Sequence, residues 1–246
     1  MKRIGDFFFR FRNAIFPVVG LGVFFFSKPA TFPQDSSLNL ALARTGIFLA
    51  VLGQSFRMLV IGHDPIVRGG KEGKVHAERL VTGGFYACCR NPLYVGNMLI
   101  VMGLSLTLGS VLAYAFVLPF FVFVYGTIIL AEETYLKKHF GQEYENYAKN
   151  VPRFWPHFRR LKGSLQGRTY HWRKAIRTDY GQIFTTLLMI ILITFWRSHS
   201  LHGHWSPGEE KRLATSLILL LLFYVITRYL KKKTHLLDST SLPAPQ

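Results

Sequence analysis

"PLYVGNMLIVMGLSLTLGSVLAYAFVLPFFVFVYGTIIL", residues 92–130, contains no charged side chain. A helix rises about 1.5 Å per residue and a bilayer's hydrocarbon core is about 30 Å thick, so one crossing needs about 20 residues and this run is too long for one. Gly109 and Ser110 near its middle are turn residues, and Pro92 suits the first turn of a helix because its missing N–H would be unpaired there anyway. The run therefore reads as a hairpin of a short helix, Pro92–Leu108, and a longer one, Val111–Leu130. Four further apolar stretches flank it, at Asn13–Ser27, Leu38–Ile61, Ile183–Trp196 and Leu213–Leu230. The expected fold class is all-α: a polytopic membrane helix bundle of about six transmembrane helices.

The chain has 246 residues, half of them hydrophobic, and a formal charge of +17 from 30 Lys+Arg against 13 Asp+Glu. Laying down six spans in order sorts the positive charges. Lys2, Arg3, Arg10 and Arg12, the basic residues of the 62–91 loop, the 131–182 segment and Arg228 to Lys233 fall on one side; the other receives only Lys28, Arg197, Lys211 and Arg212. That asymmetry follows the positive-inside rule and predicts both termini in the cytoplasm, with a bacterial inner membrane as the expected location. Membrane topology thus accounts for the charge, and no nucleic-acid partner is expected. The N-terminal run contains Pro17 and lacks a small-x-small cleavage pattern before Lys28–Pro29, so it reads as an anchor. Cys88 and Cys89 are adjacent and fall on the cytoplasmic side, where thiols stay reduced, so no disulfide framework is implied.

Two segments on the basic side stand out. The first, residues 62–91, has glycine pairs at Gly69-Gly70 and Gly83-Gly84 that permit close approach of a ligand to backbone N–H groups, and it ends in Arg90-Asn91-Pro92. A helix beginning at Pro92 turns its free N–H groups and positive dipole end toward that side, where an anion would be stabilised. The second, "LAEETYLKKHFGQEYENYAKNVPRFWP", residues 130–156, places Glu132 and Glu133 near the end of a span. Phe140, Tyr144, Tyr147 and Val151 then recur at spacings of four, three and four, predicting an amphipathic helix that lies on the membrane surface or packs over the glycine-rich loop and stops near Pro152.

"LVTGGFYACCRNPLYVGN" followed after the hairpin by "EETYLKKHFGQEYENYAKNVPRFWP" resembles the integral-membrane isoprenylcysteine carboxyl methyltransferases and phospholipid methyltransferases over roughly residues 62–156. The resemblance implies S-adenosylmethionine bound in a cytoplasmic cap, with a lipophilic methyl acceptor arriving from the bilayer. It carries cofactor contacts onto Glu78, Arg79, Leu80, Val81, Tyr86, Asn91, Pro92, Leu93, Tyr94 and Glu132. The residue chemistry agrees in type: Arg90 and the helix N-terminus suit the cofactor's carboxylate, and Glu132 or Glu133 its ammonium or ribose hydroxyls. Tyr144 and Tyr147 are candidates for a lid. Glu133 is the candidate general base for an amine acceptor.

The pattern departs from the prenylcysteine enzymes at three positions: Glu78 and Asn91 stand where they have histidine, and Ile128 stands where they have an arginine linked to the acceptor's carboxylate. An isoleucine cannot pair a carboxylate, so a phospholipid amine is favoured over a prenylcysteine carboxylate. The alternatives are an NADPH-dependent membrane reductase of sterol-reductase-like architecture and a non-catalytic membrane scaffold. The expected organisation is a two-span region (1–61), the methyltransferase core (62–156), a basic segment on lipid headgroups (157–182), two further spans (183–233) and a tail (234–246). Arg57, inside an apolar stretch, reads as snorkelling toward the interface. His199, His202 and His204 have no carboxylate among them, and no metal site is expected. Membrane lipids are the expected surroundings, and the sequence leaves the oligomeric state open.

Overall fold

A computed structural model describes residues 2–64, 77, 79–205 and 208–233. It contains helices and no strand among those residues: α1 (Lys2–Phe26), α2 (Ser36–His63), α3 (Pro92–Leu108), α4 (Leu118–Phe140, entered through one π-helical turn at Ala113–Val117), α5 (Gln142–Asn150), α6 (Leu161–Leu165), α7 (Trp172–His202) and α8 (Glu209–Lys233). Of the six long ones, α2, α4 with its π turn, α7 and α8 are long and apolar enough to cross a membrane; α3 is apolar but shorter, and α1 carries charge through its first half. The chain is an all-helical integral membrane protein.

The hairpin turns where its small residues allow. Gly109 caps α3 in the left-handed region at φ 62°, which suits a residue without a Cβ. Its carbonyl oxygen accepts from the Thr31 and Phe32 N–H groups, and Ser27 Oγ donates to Ser110 Oγ at 2.6 Å, so the α1–α2 connection closes that end of the bundle.

Helices α2 and α3 meet backbone to backbone. A Cβ on Gly53 would stand 2.6 Å from the Gly96 carbonyl oxygen, and one on Gly46 would stand 2.5 Å from the Gly103 carbonyl oxygen. Small residues at such a contact let helices approach closely in a bilayer, where packing rather than the hydrophobic effect drives association. Helix α1 packs on α4 through aromatic rings, Phe8 against Phe120 and Phe123, and Phe16 against Phe121 and Tyr125, and through Gly5, where a Cβ would meet the Thr127 carbonyl oxygen.

Two expectations change. The apolar stretch Ile183–Trp196 is the middle of a 31-residue helix that already begins at Trp172. The basic segment before it is folded onto the protein itself: Ser164 Oγ donates to the Gly84 carbonyl, Arg160 to the Asn150 carbonyl, and the Tyr170 ring packs on Gly62. Among the histidines near the end of α7, His199 stacks on Trp205 and His202 Nδ1 bonds to the Ser198 carbonyl.

Candidate functional site

The first turn of α3 and the last turns of α4 lie side by side at the end of the bundle that carries both described termini, because the hairpin returns the chain to where it began. There Tyr94 Oη donates to Glu132 Oε1 at 2.9 Å, joining the two arms. The Arg12 guanidinium of α1 is the basic group that acts on Glu132, and it sits over the Phe9 ring at 4.4 Å. Beneath them Phe9, Val124 and Ile128 form an apolar cluster against which Tyr94 packs. Ile128, the position singled out for its lack of charge, is 1% exposed within it.

Glu133, one residue on, has a different setting. Both its oxygens accept from Arg153 Nε at 3.1 Å, and Oε2 also accepts from Arg153 Nη2 at 2.7 Å. Arg90 Nη2 lies 3.3 Å from Oε1, which also accepts from Asn91 Nδ2 at 3.4 Å. Arg90 donates in addition to the Ala148 carbonyl at 2.8 Å. A planar guanidinium spanning both oxygens of a carboxylate fixes geometry as well as charge. Glu133, expected as a base, is thereby the post to which the loop before α3 and the segment after α5 are tied.

Helix α5 packs over the glycine-rich loop, the second of the two placements its stripe allowed. Gly141, at φ 51°, turns the chain out of α4, and Tyr144 and Val151 face inward at 4% and 7% exposure. Tyr147 Oη donates to the Tyr86 carbonyl at 2.8 Å, and Arg90 N donates to the Pro152 carbonyl. Burial pushes the Tyr144 hydroxyl up to about 12 and the Tyr147 hydroxyl higher still, so both remain protonated donors at neutral pH. Tyr147→Phe removes the hydroxyl bond that fastens α5 to the loop and is expected to cost about 1 kcal/mol. Equilibrium unfolding in detergent checks it; an unchanged midpoint would show that the bond contributes nothing.

The loop is anchored from beneath by Asp64, just past the end of α2. Asp64 is fully buried, accepts from Phe85 N at 3.0 Å and Arg168 Nη1 at 2.9 Å, and leaves no room for a Cβ on Gly84, which sits at φ 61°. Burial pushes its carboxyl from 3.8 up to about 6, against the opposing pulls of the Phe85 N–H and the Arg168, His63 and Lys174 charges. The folded protein therefore binds this proton at higher pH than the unfolded chain does. The stabilisation is complete below about pH 4 and lost as pH rises through about 6, and a shift of this size corresponds to about 3 kcal/mol. Melting temperatures between pH 4.5 and 7 should consequently fall further for the wild type than for Asp64→Asn; parallel curves would remove Asp64 from the account.

Of the expected contact residues, the structure brings Tyr86, Arg90, Asn91, Pro92, Leu93, Tyr94, Glu132 and Glu133 together. Arg79 is exposed, Leu80 and Val81 are half-buried along the chain leading in, and Glu78 lies outside the described residues, as do Gly69 and Gly70. Reading the sequence missed Arg153 and Arg12; Arg153 sits in the same segment as Glu133, whereas nothing in the N-terminal run marks Arg12 out.

Comparison with known proteins is consistent with this core. Residues 40–143 match the model of the family described as phospholipid methyltransferase. The cobalt-zinc-cadmium resistance protein CzcN of Cupriavidus metallidurans is 35% identical over 133 residues, covering 52% of this chain and 54% of that protein. The protein-S-isoprenylcysteine O-methyltransferase of Schizosaccharomyces pombe is 39% identical over 103 residues (41% and 38%), and that of Mus musculus is 31% identical over 130 (50% and 44%). The chain spans about half the length of the first of these and less of the other two. No solved structure is significantly similar. Through the core formed by α2, the hairpin and the start of α5, the chain is similar to the phospholipid methyltransferases and to the protein-S-isoprenylcysteine O-methyltransferases.

Proposed function

We propose that the protein transfers a methyl group from S-adenosylmethionine to a lipid or small lipophilic acceptor at the end of the bundle where Tyr94 meets Glu132. The observation that carries the reading is the pairing of these two residues from opposite arms of the hairpin, beside polar atoms with no partner. Arg90 Nε and Tyr144 Oη are buried and unbonded among the described residues, and Arg90, Arg153 and Glu133 all act on the Tyr144 hydroxyl. Buried polar atoms are nearly always bonded, so a zwitterionic ligand fits this corner. Arg90 Nε, Tyr144 Oη and the N-terminus of α3 suit a carboxylate; Glu132 suits an ammonium or ribose hydroxyls.

Bound there, S-adenosylmethionine would supply a methyl group on a sulfonium. The protein's part is to orient, to exclude water and to present the acceptor in line, and holding two reactants in geometry is worth roughly 7–11 kcal/mol. Tyr86 and Tyr94 offer aromatic faces to the sulfonium, a contribution of about 0.5–2 kcal/mol each. We assign Glu133 to holding the lid, because its oxygens are taken up by Arg153, Arg90 and Asn91.

The apolar cluster around Ile128 supports an uncharged or amine-bearing lipid as acceptor. The activity for which the isoprenylcysteine relatives are named supports a prenylcysteine carboxylate, and with Ile128 in place the Arg12 guanidinium of α1, which acts on Glu132, is the cation that such a group would meet. The basic end of the bundle, carrying both described termini, faces the cytoplasm in this reading, and the membrane is a bacterial inner membrane. Membranes containing the protein, incubated with methyl-labelled S-adenosylmethionine and then separated into lipid and protein fractions, should carry label in lipid. Label recovered in protein as a base-labile ester would move the acceptor to a prenylcysteine-type carboxylate, and binding of NADPH in place of S-adenosylmethionine would overturn the reading.

A further inference from the structure

Helix α7 lies wholly beyond residues 40–143, yet its Asp179 reaches the core. Arg57 of α2 donates from Nη2 to Asp179 Oδ1 at 2.6 Å and from Nε to Oδ2 at 3.1 Å. Gln54 Nε2 donates to Asp179 Oδ2 at 2.9 Å, and Thr186 Oγ1 to Gln54 Oε1 at 3.2 Å. Arg57 is 1% exposed and Asp179 0%, so the side chain expected to snorkel to the interface is instead enclosed between three helices. The remaining arm of the guanidinium points at α3: Nη1 donates to Asn97 Oδ1 at 2.6 Å and to the Leu93 carbonyl at 3.4 Å. It reaches there across Gly96, where a Cβ would meet Arg57 Cγ at 2.5 Å.

The first turn of α3 needs an outside hold. Asn91, its N-cap, makes no side-chain capping bond; its amide Nδ2 donates to Glu133 and to the Arg153 carbonyl. Pro92 contributes no N–H. Leu93 is adjacent to Tyr94, the donor to Glu132, so a shift of that turn moves the Tyr94 ring directly. A buried ion pair is weak evidence for stability, since well-packed apolar replacements are often neutral or better; what it supplies is a fixed geometry.

Resting on the methyltransferase reading above, we propose that Asp179 and Arg57 are positioning residues for the cofactor site: Asp179 orients the guanidinium, and the guanidinium sets the first turns of α3 through Leu93 and Asn97. The α7 helix is on this account part of the working enzyme. Asp179→Asn alone leaves a buried guanidinium without its counter-charge and is expected to destabilise the fold strongly, so it does not isolate an effect on the site.

The test uses the full chain in detergent with two other variants. Arg57→Met combined with Asp179→Leu removes both charges and keeps apolar packing; Arg57→Lys keeps the charge pair but has too few donors in a fixed fork to hold Asp179, Asn97 and the Leu93 carbonyl together. Both should melt within a few degrees of the wild type, while S-adenosylmethionine binds roughly tenfold to a hundredfold more weakly by calorimetry, the scale expected when a supporting group is lost. Wild-type affinity in either folded variant overturns the proposal. Collapse of both shows a pair needed by the bundle as a whole and overturns it too. A wild-type protein that binds no S-adenosylmethionine removes the methyltransferase reading itself, and the proposal with it.

Discussion

Glu132→Gln is expected to weaken S-adenosylmethionine binding about tenfold to a hundredfold with little change in melting temperature. Glutamine keeps the length of the side chain and an oxygen to accept from Tyr94 Oη, so the bond between the hairpin arms survives. What is lost is the negative charge offered to the cofactor's ammonium or ribose hydroxyls. Hydrogen bonds to charged groups are worth about 1.5–3 kcal/mol, and each 1.4 kcal/mol is a factor of ten. Glu133→Gln separates the two neighbours. It breaks the fork with Arg153 and should loosen the segment after α5, lowering the melting temperature more than Glu132→Gln does. Calorimetric titration and thermal melts on both variants decide between the assignments; unchanged affinity in Glu132→Gln would remove this carboxylate from the cofactor site.

Gly103→Val is expected to abolish folding. A Cβ at this position would stand 2.5 Å from both the Ala50 nitrogen and the Gly46 carbonyl oxygen, and these are backbone atoms in mid-helix that cannot turn aside. Overpacking a well-filled contact costs typically about 1–3 kcal/mol where side chains can adjust, and more where the obstacle is main chain. Gly126→Ala in α4 is the matched control. A Cβ there has nothing within 4 Å, so the change should be neutral or stabilise the helix by up to about 1 kcal/mol. Yield of folded protein after detergent extraction reads both out, and a Gly103→Val protein that melts like the wild type would show that α2 and α3 are not in backbone contact.

The hairpin was legible because an uncharged run of that length can be accommodated only by folding back, and because Gly109 and Ser110 are residues that permit the turn. The pairing of Glu132 with the 90–94 stretch was legible for the same reason, since the hairpin returns one to the other. The start of α7 was not. Its first turns hold Arg173, Lys174, Arg177 and Asp179, a composition that reads as loop until Arg57 is seen to occupy the far side of Asp179, and 122 positions in sequence separate the two. The α2–α3 contact lies between these cases. Gly46 and Gly53, like Gly96 and Gly103, recur seven residues apart, two helical turns, and that spacing marks one face of each helix. Arg12 gave no sign because its meaning depends on α1 lying against α4, which aromatic rings spread all round α1 do not specify.

The two sides of the hairpin differ in how they can yield. Along α3 the neighbour is the backbone of α2, locked at glycines, and any separation there breaks contact along the helix. Along α4 the neighbour is α1, met near Glu132 through Gly5, where a Cβ would meet the Thr127 carbonyl oxygen, and farther along through Phe8, Phe9 and Phe16, rings that turn about two torsions without moving the main chain. On the methyltransferase reading proposed above, a molecule travelling sideways in the lipid toward Tyr94 and Glu132 meets a wall along α3 that cannot part, whereas along α4 the panels that can swing are the rings beyond the Gly5 contact, so stiffness sets where an acceptor can pass before any charge or hydrogen bond is consulted.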